Sequence, residues 1–343
     1  MRKLLNTLFV LTEDAYLTLD GENVVLSRHE ETLGRFPLHT LEGILCFSYA
    51  GASPALMGAC GRNGIDLSFL TPTGRFLARV SGENRGNVLL RRTQYRAADD
   101  LFASCRIAGW MIFGKVYNAR WTIERTIRDH GTRIDAEKLA VVSRTLADSL
   151  PAIRQAGNLE ELRGLEGKTA TQYFGVLDDL ILNQKQAFAF HGRSRRPPMD
   201  GANALLSFTY TLLARDCAAA LESVGLDPYV GFLHRDRAGR ESLALDLMEE
   251  LRAPLADRFV LTLINNRQIT EKHLQIQESG AVLLTDEGRK KLLSAWQERK
   301  REVITHPYLG EKLPWGLVPY VQALLLARYF REDLDGYPPF LWK

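Results

Sequence analysis

The chain of 343 residues is short of net charge, of cysteine and of long apolar runs, and each shortage removes a class of protein. Lysine and arginine exceed aspartate and glutamate by only three, which does not by itself mark a nucleic-acid binder. What counts is where the basic residues sit. Cys46, Cys60, Cys105 and Cys217 are scattered with no Cys-x-x-Cys pair, which argues against a zinc knuckle and a disulfide framework and suits a reducing cytoplasm. No stretch approaches the roughly eighteen uninterrupted apolar residues that cross a bilayer; even residues 205–213 are interrupted by polar side chains. The start, Met1-Arg2-Lys3 before an apolar run, resembles a leader peptide. Asn6 breaks that run and Glu13-Asp14 ends it without a small-residue cleavage site, so a first strand is expected and no membrane partner.

What is present is ordinary globular material, 45% hydrophobic and 25% charged. The length exceeds what one core usually serves, so two domains are expected. Up to about Ser81 the apolar residues come in short runs divided by turn formers: Glu13-Asp14, Asp20-Gly21 and Thr71-Pro72-Thr73-Gly74. Residues 15–19 with 23–26, and 65–70 with 75–80, read as hairpins. Between them Ser53-Pro54 opens a short helix over 55–60. After Arg96 the period lengthens, predicting helices over 101–129, 135–150 (stopped by Pro151), 169–190 and 204–224. A hairpin over 273–284 precedes a basic helix. The expected fold is therefore α+β: a small, mostly antiparallel β domain with one short helix over 1–90, a linker over 91–100, and a larger all-α domain over 101–343. Residues 192–201 (GRSRRPPMDG) read as a mobile basic loop, and the apolar tail 335–342 needs a surface, preferably that of its own domain.

The basic residues are unevenly spread. Arg85, Arg91, Arg92, Arg96, Arg106, Lys115, Arg120, Arg125, Arg128 and Arg133 fall in one stretch, and Arg193, Arg195 and Arg196 in a second; either could follow a phosphate backbone or be a solvated face. A possible chemical site lies downstream. Gly231-Phe232-Leu233-His234 follows a Gly and Pro break and leads into a helix with Ser242 as a plausible cap and Leu243, Leu247, Met248 and Leu251 as its buried stripe. Asp246 and Glu249, three residues apart, project from one side of it. Such a pair needs solvent or a cation, either a metal ion or Arg252. Glu166 lies between Gly164 and Gly167 at the expected entry to a helix, where it would favour the positive helix end or let a bulky group approach. Two carboxylates, an imidazole and open positions suit Mg²⁺ or Mn²⁺, the imidazole favouring Mn²⁺, and phosphodiester chemistry uses such an ion.

Four segments, 162–170 (LRGLEGKTA), 203–213 (NALLSFTYTLL), 231–234 (GFLH) and 242–252 (SLALDLMEELR), together resemble the CRISPR-associated endonuclease and integrase that inserts spacers into CRISPR arrays, within it the subtype I-C branch. The resemblance implies that Glu166, His234 and Glu249 bind a divalent metal, with aspartate more usual at the last place and Asp246 a further ligand or an orienter of His234. It implies that Asn203 helps to hold the site. The implied partners are DNA with single-stranded ends and the CRISPR leader-repeat, a second copy joined through the β domain, and a smaller CRISPR adaptation protein in a heterohexamer. The implied reaction joins 3′ hydroxyls to repeat boundaries by transesterification, with cleavage from the same site. Arg235, Arg237 and Arg240, helped by Lys168, are candidates for the phosphate beside the cut; Arg193, Arg195 and Arg196 for a DNA clamp supported by Arg91, Arg92, Arg96 and Arg106 between the domains. The alternatives are a structure-specific nuclease of branched DNA or RNA in repair, and a catalytically silent nucleic-acid scaffold.

Overall fold

Strand spacing gives way to helix spacing at Asn87 in the computed structural model, which describes residues 6–29, 31–71, 76–80, 82 and 87–343. In chain order the strands and helices of the first part are β1 (Thr7–Val10), β2 (Tyr16–Asp20), β3 (Asn23–Arg28), β4 (Glu31–Pro37), β5 (Gly43–Cys46), α1 (Pro54–Asn63), β6 (Asp66–Leu70) and β7 (Phe76–Val80). Then follow α2 (Val88–Asp99), α3 (Leu101–His130), α4 (Ala136–Gln155), α5 (Leu159–Gly175), α6 (Lys185–Phe188), α7 (Gly201–Ser223), α8 (Ser242–Leu251) and α9 (Arg258–Asn265). The last are β8 (Leu274–Ile276), β9 (Val282–Leu284), α10 (Asp286–Arg301), β10 (Val303–Thr305), β11 (Lys312–Pro314) and α11 (Val318–Phe330). The expected α+β class holds. The expected turn over 72–74 and Arg85 lie outside the described residues.

One compact unit comprises the described residues up to 82 together with Leu284–Arg301. Its antiparallel sheet β2-β3-β4 turns at Asp20-Gly21, where Gly21 takes the left-handed φ of +57° that an Asp-Gly hairpin uses. Its second sheet, β1-β5-β6-β7, is parallel between β1 and β5 and between β5 and β6, so the unit is less uniformly antiparallel than alternation suggested. Leu17, Val24, Ile44, Leu56 and Leu67 close the core. Ser53 caps α1 by accepting from the Leu56 amide at 3.3 Å, with Pro54 in the first turn and Gly64 in the left-handed conformation at the end, as its sequence predicts. The basic helix α10, expected with the helical part, groups here. Its buried stripe is Leu292, Leu293 and Trp296, and Lys300 places its Nζ 3.1 Å from Glu42 Oε1. An apolar stripe announces a core without saying which one.

The other unit, Asn87–Leu283 and Glu302–Lys343, is helical. The stretch expected as a linker over 91–100 is instead most of α2. Its polar Gln94 is buried, donating to the carbonyls of Asp227 at 2.8 Å and Val230 at 2.9 Å and accepting from the Asp227 amide. Asp100 then caps α3 by accepting from the Phe102 amide at 2.8 Å. Pro151 does not stop α4, which runs on to Gln155 with Ile153 buried, so burial in the last turn offsets the hydrogen bond that proline removes. The helix expected over 169–190 is also redrawn. Asn158 caps α5 by accepting from the Glu161 amide at 2.9 Å, and α5 ends at Gly175. Ser242 opens α8 as its first residue and is not a cap, its Oγ donating to the Arg235 carbonyl at 3.2 Å. A π-helical segment, Arg252–Asp257, joins α8 to α9.

Helix α7 is long and apolar enough to cross a membrane by composition alone, but 72% of its most apolar window is buried, as in a core helix. The hairpin β8-β9 is as expected. The tail packs on its own unit: Tyr337 and Phe340 are buried, and Asn118 donates to the Phe340 carbonyl at 2.7 Å and accepts from the Trp342 amide at 2.8 Å. All four cysteines are buried and free.

Candidate active site

The GFLH segment is held against α8 by one carboxylate. Asp246 Oδ2 accepts from the amides of Phe232 at 2.6 Å and Leu233 at 3.0 Å, while Oδ1 accepts from the His234 amide at 3.1 Å and meets His234 Nδ1 at 2.5 Å. Gly231 makes this approach feasible, since a Cβ there would stand 2.8 Å from Asp246 Oδ2 and from Ser242. With its side chain fully buried and both oxygens engaged, Asp246 orients the imidazole and has no free lone pair aimed at an ion. The bond at Nδ1 places the ring proton there and leaves Nε2 as the bare nitrogen, 4.0 Å from Glu249 Oε1. Of the two roles open to Asp246 in the sequence, the geometry carries the orienting one.

Glu249 projects one turn further along α8 and is nearly fully buried. Arg252 Nη2 lies 3.1 Å from its Oε1, and the Lys115 ammonium of α3 lies 2.8 Å from its Oε2. The same ammonium pairs with Glu166 Oε1. Burial alone would raise the Glu249 carboxyl, but Arg252 and then Lys115 outweigh it and hold the pKa at about 2. Glu166 is not at a helix entry. Asn158 starts α5 about two turns earlier, so the dipole role expected of Glu166 falls to Glu160 and Glu161 in the first turn. A Cβ added at Gly164 or Gly167 would meet nothing within 4 Å, so no close approach within the fold requires either glycine.

Glu166, His234 and Glu249 come from three separate segments: Lys115 bridges the two glutamates, and His234 Nε2 lies 4.0 Å from Glu249. Lys115 was visible in the sequence only as one of many basic residues. Among the described residues no three histidine, cysteine or carboxylate side chains converge on one vacant point as they stand; the point shared by the two glutamates is filled by the ammonium.

The candidate DNA-binding residues divide. Lys168, Arg195, Arg196, Arg235 and Arg237 are exposed, and Arg240 is half-buried. Arg235 is paired with Glu160 at 2.5 Å. Arg193, expected in the clamp, instead donates to Asn203 Oδ1 at 2.6 Å, the Ser194 carbonyl at 2.5 Å and Ser207 Oγ at 3.1 Å, and lies over the Tyr210 ring. Its guanidinium ties down the loop that carries Arg195 and Arg196. Asn203 does not cap α7, since Asp200 accepts from its amide at 2.7 Å; its side chain donates to the Gly192 carbonyl at 2.8 Å and to Asp200. The loop over 192–201, expected to be mobile, is anchored at this end by those bonds. Arg106 and Arg91 are engaged as well, with Tyr329 Oη and the Gly225 carbonyl.

A buried acid lies on the π-helical segment. Asp257 accepts from Tyr210 Oη at 2.6 Å and Tyr173 Oη at 3.0 Å, and burial pushes its pKa up to about 6 against those bonds and the pull of Arg252 and Arg193.

Residues 8–298 match the family model described as CRISPR associated protein Cas1. The chain belongs to the Cas1 family. Along their whole lengths it is 52% identical over 347 residues to a CRISPR-associated endonuclease Cas1 of Rhodospirillum rubrum. Its fold is shared with a casposase solved bound to its integration product (TM-score 0.84, 22% identity, 98% of this chain and 94% of that one). It is shared too with a chain of a Cas6-RT-Cas1–Cas2 complex (TM-score 0.82, 22% identity, 98% of this chain and 36% of that one). At those identities the structures speak to the Cas1 fold alone. Glu249 reaches the position opposite Glu166 across the Lys115 ammonium.

Proposed function

We propose that this Cas1 chain is the integrase and endonuclease of CRISPR adaptation, cutting DNA and joining the 3′ hydroxyls of a new spacer into the repeat array at the site of Glu166, His234 and Glu249. The observation that carries this reading is that Glu166 and Glu249 share the Lys115 ammonium while His234, held by Asp246, lies 4.0 Å from Glu249, in a chain similar along its whole length to a named Cas1 endonuclease. The donor set fits a divalent ion: two carboxylates already share a cation, the Lys115 ammonium, and a bare imidazole nitrogen faces one of them. Glu166, Glu249 and His234 Nε2 would hold Mg²⁺ or Mn²⁺. When bound, such an ion polarises a phosphoryl oxygen and neutralises charge that develops there.

The chain's own groups supply the rest. Asp246 keeps the His234 ring in one orientation and tautomer. Arg252 keeps Glu249 ionised while it is buried. Lys115 compensates the two glutamates and, once turned from between them, is a cation for the substrate phosphate. Arg195 and Arg196, with Lys168, Arg237 and Arg240, provide positive charge for the DNA backbone, which positions a strand without identifying bases.

The partners of this reading are DNA with single-stranded ends, the leader-repeat junction, a second copy joined through the β unit, and Cas2 in a heterohexamer, in the cytoplasm. We assign the chain to the subtype I-C branch on its four motif segments; an array flanked by effector genes of another subtype would overturn that. Size-exclusion chromatography with light scattering tests the assembly: dimer alone and a larger complex with Cas2 are expected, and a monomer that ignores Cas2 contradicts it. The activity is tested with a branched DNA and a 3′-hydroxyl duplex in Mn²⁺. Products longer than either input strand identify strand transfer, whereas shortened strands alone favour a repair nuclease.

A further inference from the structure

Asp257 is a buried acid that no step of the proposed reaction uses. It ends the π-helical segment Arg252–Asp257 after α8, and its two oxygens face two different helices. Oδ1 accepts from Tyr210 Oη of α7 at 2.6 Å, and Oδ2 from Tyr173 Oη of α5 at 3.0 Å. On α5, Tyr173 stands seven residues after Glu166, about two turns along the same face. On the other side, the Arg252 guanidinium lies over the Tyr210 ring at 5.0 Å and holds Glu249 Oε1 at 3.1 Å. The π-helical turn makes this possible: it brings residues five apart round to one side, whereas an α-helix would set them about 140° apart. Arg252 and Asp257 thereby both reach Tyr210.

Glu166 and Glu249 lie on different helices, and a shared ion requires their separation to suit it. Asp257 is linked to both sides of that gap, directly to α5 and through Tyr210 and Arg252 to Glu249. Holding helices together would not need an acid. A carboxylate taken out of water costs stability, and well-packed apolar residues of similar volume serve as well or better. Burial pushes the Asp257 pKa up to about 6, so the fold carries this charge against a penalty. What the acid adds over an apolar contact is direction: two hydrogen bonds of set length between three side chains. We propose that Asp257, Tyr173 and Tyr210 are positioning residues that set the spacing of Glu166 and Glu249 for a divalent ion. The proposal rests on the metal-dependent DNA-joining reading and adds to it the groups that hold the two glutamates at a working distance.

The test is Mn²⁺ binding to the full chain without DNA, read by calorimetry and by the electron paramagnetic resonance spectrum of the bound ion, at a temperature where circular dichroism shows every variant folded. Tyr173→Phe and Tyr210→Phe each remove one hydroxyl and keep the ring. Together they weaken Mn²⁺ binding about tenfold, the low end for groups that orient metal ligands, and broaden the spectrum as the two glutamates lose a fixed spacing. Each alone does less, because Asp257 keeps the other tyrosine. Leu139→Ala, a truncation in the buried stripe of α4, lowers the unfolding transition and leaves affinity and spectrum as in the wild type. Equal affinity and spectra in wild type and the double variant overturn the positioning role and leave the metal site standing. A wild type that binds no Mn²⁺ overturns the metal site, and this proposal with it. Binding weakened as much by Leu139→Ala would reduce the three residues to packing and also overturn it.

Discussion

Replacing Lys115 by methionine separates the two kinds of cation that the site can hold. The change keeps most of the stem and removes a charge whose side chain is 12% exposed, between Glu249 at 4% and Glu166 at 27%. Taking one partner from a buried ion pair costs roughly 3–5 kcal/mol. Here Arg252 stays 3.1 Å from Glu249 and Glu166 keeps some solvent, so a loss of about 2 kcal/mol is expected in chelator. On a helical unit of this size that lowers the transition by about 4–8 °C. A divalent ion restores the missing charge, and at about a hundred times its dissociation constant contributes roughly 2.7 kcal/mol. The wild type must first turn Lys115 away and gains less. The assay is thermal unfolding followed by far-ultraviolet circular dichroism, with chelator and with Mn²⁺. Equal metal stabilisation of both proteins would refute the reasoning, as would an unaltered transition in chelator.

Asp246→Asn should lower Mn²⁺ affinity about 10–100-fold, measured by calorimetry, because the imidazole loses its orienting anion while the three amide donors keep one acceptor at best. Neutralising Arg195 and Arg196 together should weaken DNA binding and reduce the slope of log affinity against log salt by about two. Arg193→Ala should instead lower the unfolding transition, since its hydrogen bonds hold the loop; an unchanged transition would contradict that role. Asp257 has a folded pKa of about 6 against an ordinary 3.8, so its preference for the protonated form stabilises the fold below about pH 4 and is lost as pH rises through 6. Denaturation across that window should show stability falling by at most about 3 kcal/mol from this group, and Asp257→Asn should flatten the fall.

The long period of α3, the capped α1 and the Asp20-Gly21 hairpin were legible because their signals are local. So was the pair on α8, since residues three apart share a helix face. The failures have physical causes. Gln94 and its polar neighbours imitate a linker until their hydrogen bonds to residues 227–230 are seen. Glu166 seemed to begin a helix because the two glycines beside it lower helix propensity, while the actual cap, Asn158, lies farther back. Arg193 reads as a clamp beside Arg195 and Arg196, and only Asn203, Ser207 and Tyr210 show that it is turned inward. Lys115 carried no distinguishing mark at all, because the two acids it joins lie on other helices.

The most direct test of the central claim compares wild type with His234→Ala on a labelled branched DNA and a 3′-hydroxyl duplex, in Mn²⁺ and in chelator, with DNA binding measured in the same samples. The account predicts strands joined or resolved only by the wild type with metal, while both proteins bind DNA alike. Binding by both with no change to the DNA by either, Cas2 supplied or not, would contradict it and leave a DNA-binding scaffold as the better description.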